Sequence, residues 1–193
     1  MHDHHHHHHD HFGNPDDRAH YLAKLEGSDR AAWQKPDQVI RALKLRKSDV
    51  VAEVGAGPAY FAKRLAKKAA FVYAVEADPQ MFPVLLERTA KLANLAPVFA
   101  LQDAPRLAPA SVDLILIVNT FHHLDGARSL RKLALALKPR GRIANIDFHP
   151  ESELGPKHKI SRDAFVAMAK HAKLKLVREH TFLREQYFVE LAR

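Results

Sequence analysis

Cysteine is absent from all 193 residues, which excludes disulfide scaffolds, thiolate metal sites and cysteine nucleophiles. Glycine is scarce, at seven, and tryptophan occurs once, so two glycines falling in one loop carry information that a glycine-rich chain would not offer. No apolar run approaches the roughly 18 residues of a membrane span, and the N-terminus lacks the apolar stretch of a signal peptide. These absences lead to the expectation of a cytoplasmic protein without a membrane span. Acidic residues are outnumbered, 22 against 30 Lys plus Arg. The first eleven residues hold two of the acids and none of the bases, so the remainder carries a formal +10. Such a balance fits anionic partners, but it governs steering and solubility rather than fold.

What is present suffices for one domain, since 47% of the chain is hydrophobic. Residues 1–13 stand apart as a His-rich arm or purification tag. The opening M-H-D-H-H-H-H-H-H-D-H holds eight histidines, cannot build a core, and is expected to be disordered and able to chelate nickel or zinc through neutral imidazoles. The single domain then runs over 14–193. Its first part, 14–47, reads as a helical lid: Pro15-Asp16-Asp17 starts a helix with Tyr21, Leu22 and Leu25 at helical spacing, and a second helix fits Pro36 to Leu45. Trp33 lies between them and is read as their anchor rather than as a pocket wall.

Beyond Ser48, short apolar runs alternate with helical segments, the pattern of a parallel sheet covered on both faces. Strands are predicted at 50–54, 71–76, 97–101, 112–118 and 142–147, then at 174–181 and 186–191. Helices are predicted from Tyr60 to Lys68, from Pro79 to Leu92, from Asp125 to Leu137, where K-P-R-G stops the helix, and over 162–171. Only Phe182 to Glu185 join the last two strands, so these should pair antiparallel. No internal repeat is present.

The sharpest local signal is V-V-A-E-V-G-A-G-P-A-Y, with Gly55 and Gly57 directly after the first strand. Glycines there permit a tight turn and close approach of a ligand at the carboxyl end of the sheet. A dinucleotide fingerprint would need glycine at Tyr60, and a phosphate loop would need G-K-[ST], which is absent. Instead Glu53 precedes the turn, Glu76 ends the second strand, and Gln102-Asp103 follows the third. A carboxylate at the end of the second strand suits a ribose diol, and one after the third could accept from an adenine amine. The set points to an adenosine-bearing ligand without a pyrophosphate.

The stretches E-V-G-A-G-P-A, V-Y-A-V-E-A-D, L-Q-D-A-P, S-V-D-L-I-L-I-V-N-T-F-H-H-L and L-K-P-R-G-R-I-A-N-I-D-F, taken in this order over residues 50–148, resemble the class I S-adenosylmethionine-dependent methyltransferases. The resemblance is to the small-molecule, type 11 branch typified by ubiquinone and menaquinone biosynthesis enzymes. It implies a Rossmann-like, doubly wound α/β sheet of seven strands in the order 3-2-1-4-5-7-6, strand 7 antiparallel, with helices on both faces. It further implies S-adenosyl-L-methionine as cofactor, with Glu53, Gly55, Ala56 and Gly57 bordering its methionine part. Glu76 and Ala77 would lie at the ribose, Asp103 and the Ala104 amide at adenine, and Asn119 would face the methionine amine through its carbonyl. The family often has glycine where this chain has Ala59 and Arg140.

Methyl transfer from a sulfonium is an in-line displacement that needs positioning and desolvation more than a metal or an acid, and no metal site is expected. A base helps only where the acceptor must lose a proton. His123 and His149, after the fourth and fifth strands, are the candidates for that role, with His122 adjacent. Asn119-Thr120-Phe121-His122 is unlike the N-P-P-Y of exocyclic-amine methyltransferases. The absence of cysteine excludes the cysteine-assisted arsenite and cytosine-C5 routes. The expected partner is therefore a small-molecule methyl acceptor; oligomeric state is not legible. Two alternatives stay open: an RNA or protein methyltransferase using the basic surface, which salt-dependent retention on polynucleotide would reveal, and a non-catalytic cofactor- or metal-binding protein whose working part is the arm.

Overall fold

A computed structural model of the chain describes residues 15–101 and 104–193. The arm at 1–13 and the Gln102-Asp103 pair lie outside the described residues. Three helices come first, α1 (Pro15–Leu25), α2 (Arg30–Gln34) and α3 (Pro36–Ala42). The alternating part follows as β1 (Val50–Val54), α4 (Ala62–Ala66), β2 (Phe71–Glu76), α5 (Phe82–Thr89), β3 (Leu95–Phe99), β4 (Val112–Val118), α6 (Gly126–Ala136), β5 (Leu137–Phe148), α7 (Arg162–His171), β6 (Lys175–His180) and β7 (Gln186–Ala192). The strands form one sheet in the order β3-β2-β1-β4-β5-β7-β6, as expected. β7 runs antiparallel to both of its neighbours and the other neighbouring pairs are parallel.

The period of two along the strands divides the core. Val51, Leu114, Leu116, Ala144, Ile146 and Phe188 meet α3, α4 and α5 on one face. Ala52, Ile115, Ile117, Ile143, Val189 and Leu191 meet α6 and α7 on the other. Both sets are fully buried, which is why β1 and β4 read as continuous apolar runs rather than alternating ones. No described helix is long and apolar enough to cross a membrane.

Several boundaries differ from the sequence reading. The third strand lies at Leu95–Phe99 rather than 97–101. It is the sheet's edge, bonded only to β2, and an edge tolerates Pro97, which has no N–H to donate. α5 starts at Phe82 rather than Pro79: Asp78 Oδ1 accepts from Gln80 N at 2.7 Å, closing a separate turn, and Pro83 then occupies the first helical turn. α4 covers only Ala62–Ala66 of the predicted 60–68. β5 begins immediately after α6, so K-P-R-G forms no separating loop. It is taken up as an irregularity in which Val112 pairs with Leu137 but Leu114 pairs with Arg142. α2 was not anticipated. It carries Trp33, expected to anchor the N-terminal helices to each other; its ring lies 5.5 Å from that of Phe148 at the end of β5, a contact with the sheet.

The antiparallel end of the sheet is held by a buried ion network. Glu190, 1% exposed, meets Arg142 Nε at 2.6 Å and His180 Nε2 at 2.8 Å, with Arg178 3.8 Å away. Removing its carboxylate strands two partners that are themselves largely buried. Glu190→Ala is expected to cost about 3 kcal/mol, read as a lower denaturation midpoint with an unchanged slope in urea.

Candidate functional site

The strand ends of β1, β2 and β4 open into a cavity of about 790 Å³, within the range of small-ligand sites. Its base is the turn after β1. Gly55 and Gly57 have φ of +76° and +51°, and Ala59, where the resembling family often has glycine, has φ +65° while fully buried. A side chain at Gly55 would overlap Thr120 at the end of β4, so this glycine serves close approach as well as conformation. Gly55 N and Ala56 N both donate to the Val75 carbonyl, at 2.9 and 3.0 Å, which locks the turn onto β2.

Glu76 completes that lock. Its Oε2 accepts from Gly57 N at 2.8 Å, and its Oε1 accepts from Ala77 N at 2.8 Å and Asp78 N at 2.9 Å. Burial pushes this carboxyl above its usual range while the three N–H donors oppose the shift. Each carboxylate oxygen has two lone pairs, so acceptor capacity remains toward the cavity that Glu76 lines.

Glu53 lies deeper. It is 3% exposed, and its Oε2 has no hydrogen-bond partner. Burial pushes its carboxyl up to about 8, only partly opposed by the nearby Arg30 guanidinium. An orphaned buried carboxyl oxygen in a cavity wall is costly unless a donor arrives there.

Beyond β4 the chain makes a single 3₁₀ turn, Phe121–His123. Phe121 is fully buried against Phe165, ring centroids 4.6 Å apart, and this anchor leaves His122 and His123 on the cavity side. His122 Nδ1 lies 3.3 Å from Asp147 Oδ2 near the end of β5. Asp147 is 2% exposed, and its other oxygen accepts from Phe148 N at 2.9 Å. The two imidazole rings lie 4.1 Å apart.

Of the residues singled out in the sequence, Glu53, Gly55, Ala56, Gly57, Glu76, Ala77, Asn119 and His123 line this one cavity. His149 is not among its described lining residues; its N–H donates to the Glu185 carbonyl at 3.1 Å and its ring faces Tyr187. The Ala104 N–H, expected at adenine, donates to the Leu101 carbonyl at 2.9 Å, and Asp103 lies outside the described residues. Sequence reasoning passed over the pairing of His122 with Asp147, twenty-five residues away on a neighbouring strand. It also passed over Arg30 and Tyr60, which line the cavity together with Tyr21 of the expected lid. Arg30 stacks its guanidinium 4.0 Å from the Tyr60 ring centroid, an aromatic platform that could have been sought at the position denied to glycine. Among the described residues, no group of three or more His, Asp or Glu side chains is placed to hold a metal ion.

Comparison with known proteins adds four likenesses. A family model described as a methyltransferase domain matches residues 52–145. An uncharacterized methyltransferase of Mycobacterium bovis is 32% identical over 108 residues, 54% of this chain and 42% of that protein, so the match spans less than half the relative's length. A probable ribosomal RNA small subunit methyltransferase A of Methanosarcina barkeri is 42% identical over 59 residues, 31% of this chain and 21% of that one. The crystal structure of a SAM-dependent methyltransferase from Aquifex aeolicus superposes with a TM-score of 0.82 at 24% identity, covering 89% of this chain and 96% of the other, and so shares the fold.

The raised Glu53 carboxyl makes stability depend on pH with a definite sign. In the folded chain it keeps its proton up to about 8, whereas unfolded it releases it near 4.5. Between those values the fold binds more protons than the unfolded chain, so the Glu53 contribution is full below about pH 4.5 and is lost as pH rises through 8. Denaturation midpoints at pH 5.5 and pH 8.5 should show Glu53→Gln gaining on the parent at the higher pH. An equal difference at both values would refute the assignment.

Proposed function

We propose that the chain is a class I S-adenosylmethionine-dependent methyltransferase and that it transfers the cofactor's methyl group to a small-molecule acceptor bound beneath the N-terminal helices. The observation that carries the cofactor reading is the orphaned Glu53 oxygen in the same cavity wall as the glycine turn. That oxygen suits the ammonium of the methionine part, Gly55 and Gly57 admit the ligand to the backbone, and the spare lone pairs of Glu76 suit the ribose diol. When bound, the cofactor supplies an electrophilic methyl group on a sulfonium, displaced in line by the acceptor.

The chain's own task is then to orient and to exclude water, with proton removal added where the acceptor is a hydroxyl. His122 is the residue for that. Asp147 holds the Nδ1 side of its ring and leaves Nε2 to take a proton, whereas His123 stacks on it and His149 stands outside the lining. A recessed cavity roofed by α1 and α2 favours a small acceptor over a polynucleotide. The RNA reading rests on Lys132 and Lys157 in the lining and on the short ribosomal RNA methyltransferase match.

Calorimetry with S-adenosylhomocysteine tests the cofactor assignment. The parent should bind, and Glu76→Ala should bind about tenfold more weakly or worse, since it loses a charged acceptor for two hydroxyls and unties the glycine turn. No binding by the parent overturns the proposal. His122→Asn should leave that affinity unchanged yet lower turnover of a hydroxyl acceptor by about a hundredfold. An undiminished rate would remove the histidine from the reaction.

A further inference from the structure

A row of four polar side chains links α2 to the end of β4, and nothing above uses it as a unit. Arg30 Nε donates to Gln34 Oε1 at 2.5 Å, Gln34 Nε2 donates to Gln186 Oε1 at 3.2 Å, and Gln186 Nε2 donates to Asn119 Oδ1. Gln34 and Gln186 are 0% and 1% exposed, so water does not compete for these bonds.

The direction of the row is dictated by its first member. A guanidinium carries donors only, so the atom of Gln34 facing it must be the carbonyl oxygen. An amide that turns its oxygen to one neighbour presents its NH₂ to a neighbour on the opposite side, and the same reasoning repeats at Gln186. One arginine therefore sets the orientation of three amides whose oxygen and nitrogen ends are otherwise interchangeable in shape. The row ends at Asn119, which lines the cavity and is held at φ +54°, a backbone conformation that asparagine tolerates better than most residues.

We infer that this relay makes the Asn119 side chain a hydrogen-bond donor to the cavity, matched to the carboxylate of the cofactor's methionine part, with Gln34 and Gln186 as positioning residues. The inference rests on the methyltransferase reading and deepens it. With its oxygen turned toward Gln186, Asn119 has its opposite end, Nδ2, to offer a ligand, while the partnerless oxygen of Glu53 offers an acceptor. A zwitterionic amino-acid group requires one of each. Reversing the relay would replace the donor by a second acceptor, which suits an ammonium and repels a carboxylate.

Two substitutions at Gln34 probe the direction. In Gln34→Glu the new carboxylate still accepts from Arg30 but has no N–H for Gln186, so Gln186 must turn to donate back, and Asn119 must turn in response. Gln34→Met breaks the relay without adding charge. The probes are S-adenosylhomocysteine and 5′-methylthioadenosine, which keeps the adenosine but lacks both amino and carboxyl groups, each titrated calorimetrically into the full chain. Gln34→Glu should weaken S-adenosylhomocysteine about tenfold and Gln34→Met about threefold, with methylthioadenosine changed by less than about twofold in both. Retained methylthioadenosine binding also reports that the variants are folded. Equal weakening of both probes would mean a merely structural role and would overturn the inference. So would no weakening of either, or weakening by Gln34→Glu alone, which would trace the effect to added charge. If the parent binds neither probe, the cofactor reading itself falls, an outcome distinct from the others.

Discussion

Three backbone N–H groups converge on the carboxylate of Glu76, and the shape of the cavity follows from that convergence. One oxygen ties down Gly57 and the other caps the turn into Asp78, so the end of β2 and the turn after β1 are held as one piece. A carboxylate accepting several N–H bonds is among the stronger uncharged-to-charged contacts a protein makes, and here it is largely shielded from water. The glycine turn then needs no packing of its own to stay open. Thr120 closes the space behind Gly55, and the two strand ends present their remaining polar atoms to the cavity.

The rest of the site depends on which buried polar atoms are satisfied and which are not. The fold pairs Gln34 with Gln186, Asp147 with His122, and Glu190 with Arg142 and His180, each between different elements. Glu53 is the exception within the cavity wall, with one oxygen left without a partner. Elsewhere Asn145 Oδ1 shares that condition, but it lies in the sheet interior rather than on the cavity. A buried acceptor without a partner is costly, and a donor arriving there would lower that cost.

The N-terminal helices complete the arrangement in a way that their weak apolar pattern did not suggest. α2 is five residues long, yet it contributes Arg30 to the cavity, Gln34 to the relay and Trp33 to the contact with Phe148. A helix this short gains little from its own hydrogen bonds and is kept in place by these tertiary contacts. Its geometry thus reports on the sheet beneath it, which couples the roof of the cavity to the end of β4.

Much of the architecture was legible in the chain. The largely apolar runs of β1 and β4 mark strands buried on both faces, and the five residues joining β6 to β7 are too few for anything but an antiparallel return. Glu53, Gly55, Gly57 and Glu76 could be chosen because strand-end acids and a glycine pair are local signals, each read from the few residues around it. Boundaries were less legible where hydrogen bonding overrides composition, as at Pro97 in an edge strand or at the K-P-R-G stretch absorbed into β5. The partnership of His122 with Asp147, the packing of His149 against Tyr187, and the polarity running from Arg30 to Asn119 belong to the tertiary structure alone. Each depends on which side chains the sheet order and the helix roof bring together, and a linear pattern carries side-chain chemistry but not that juxtaposition.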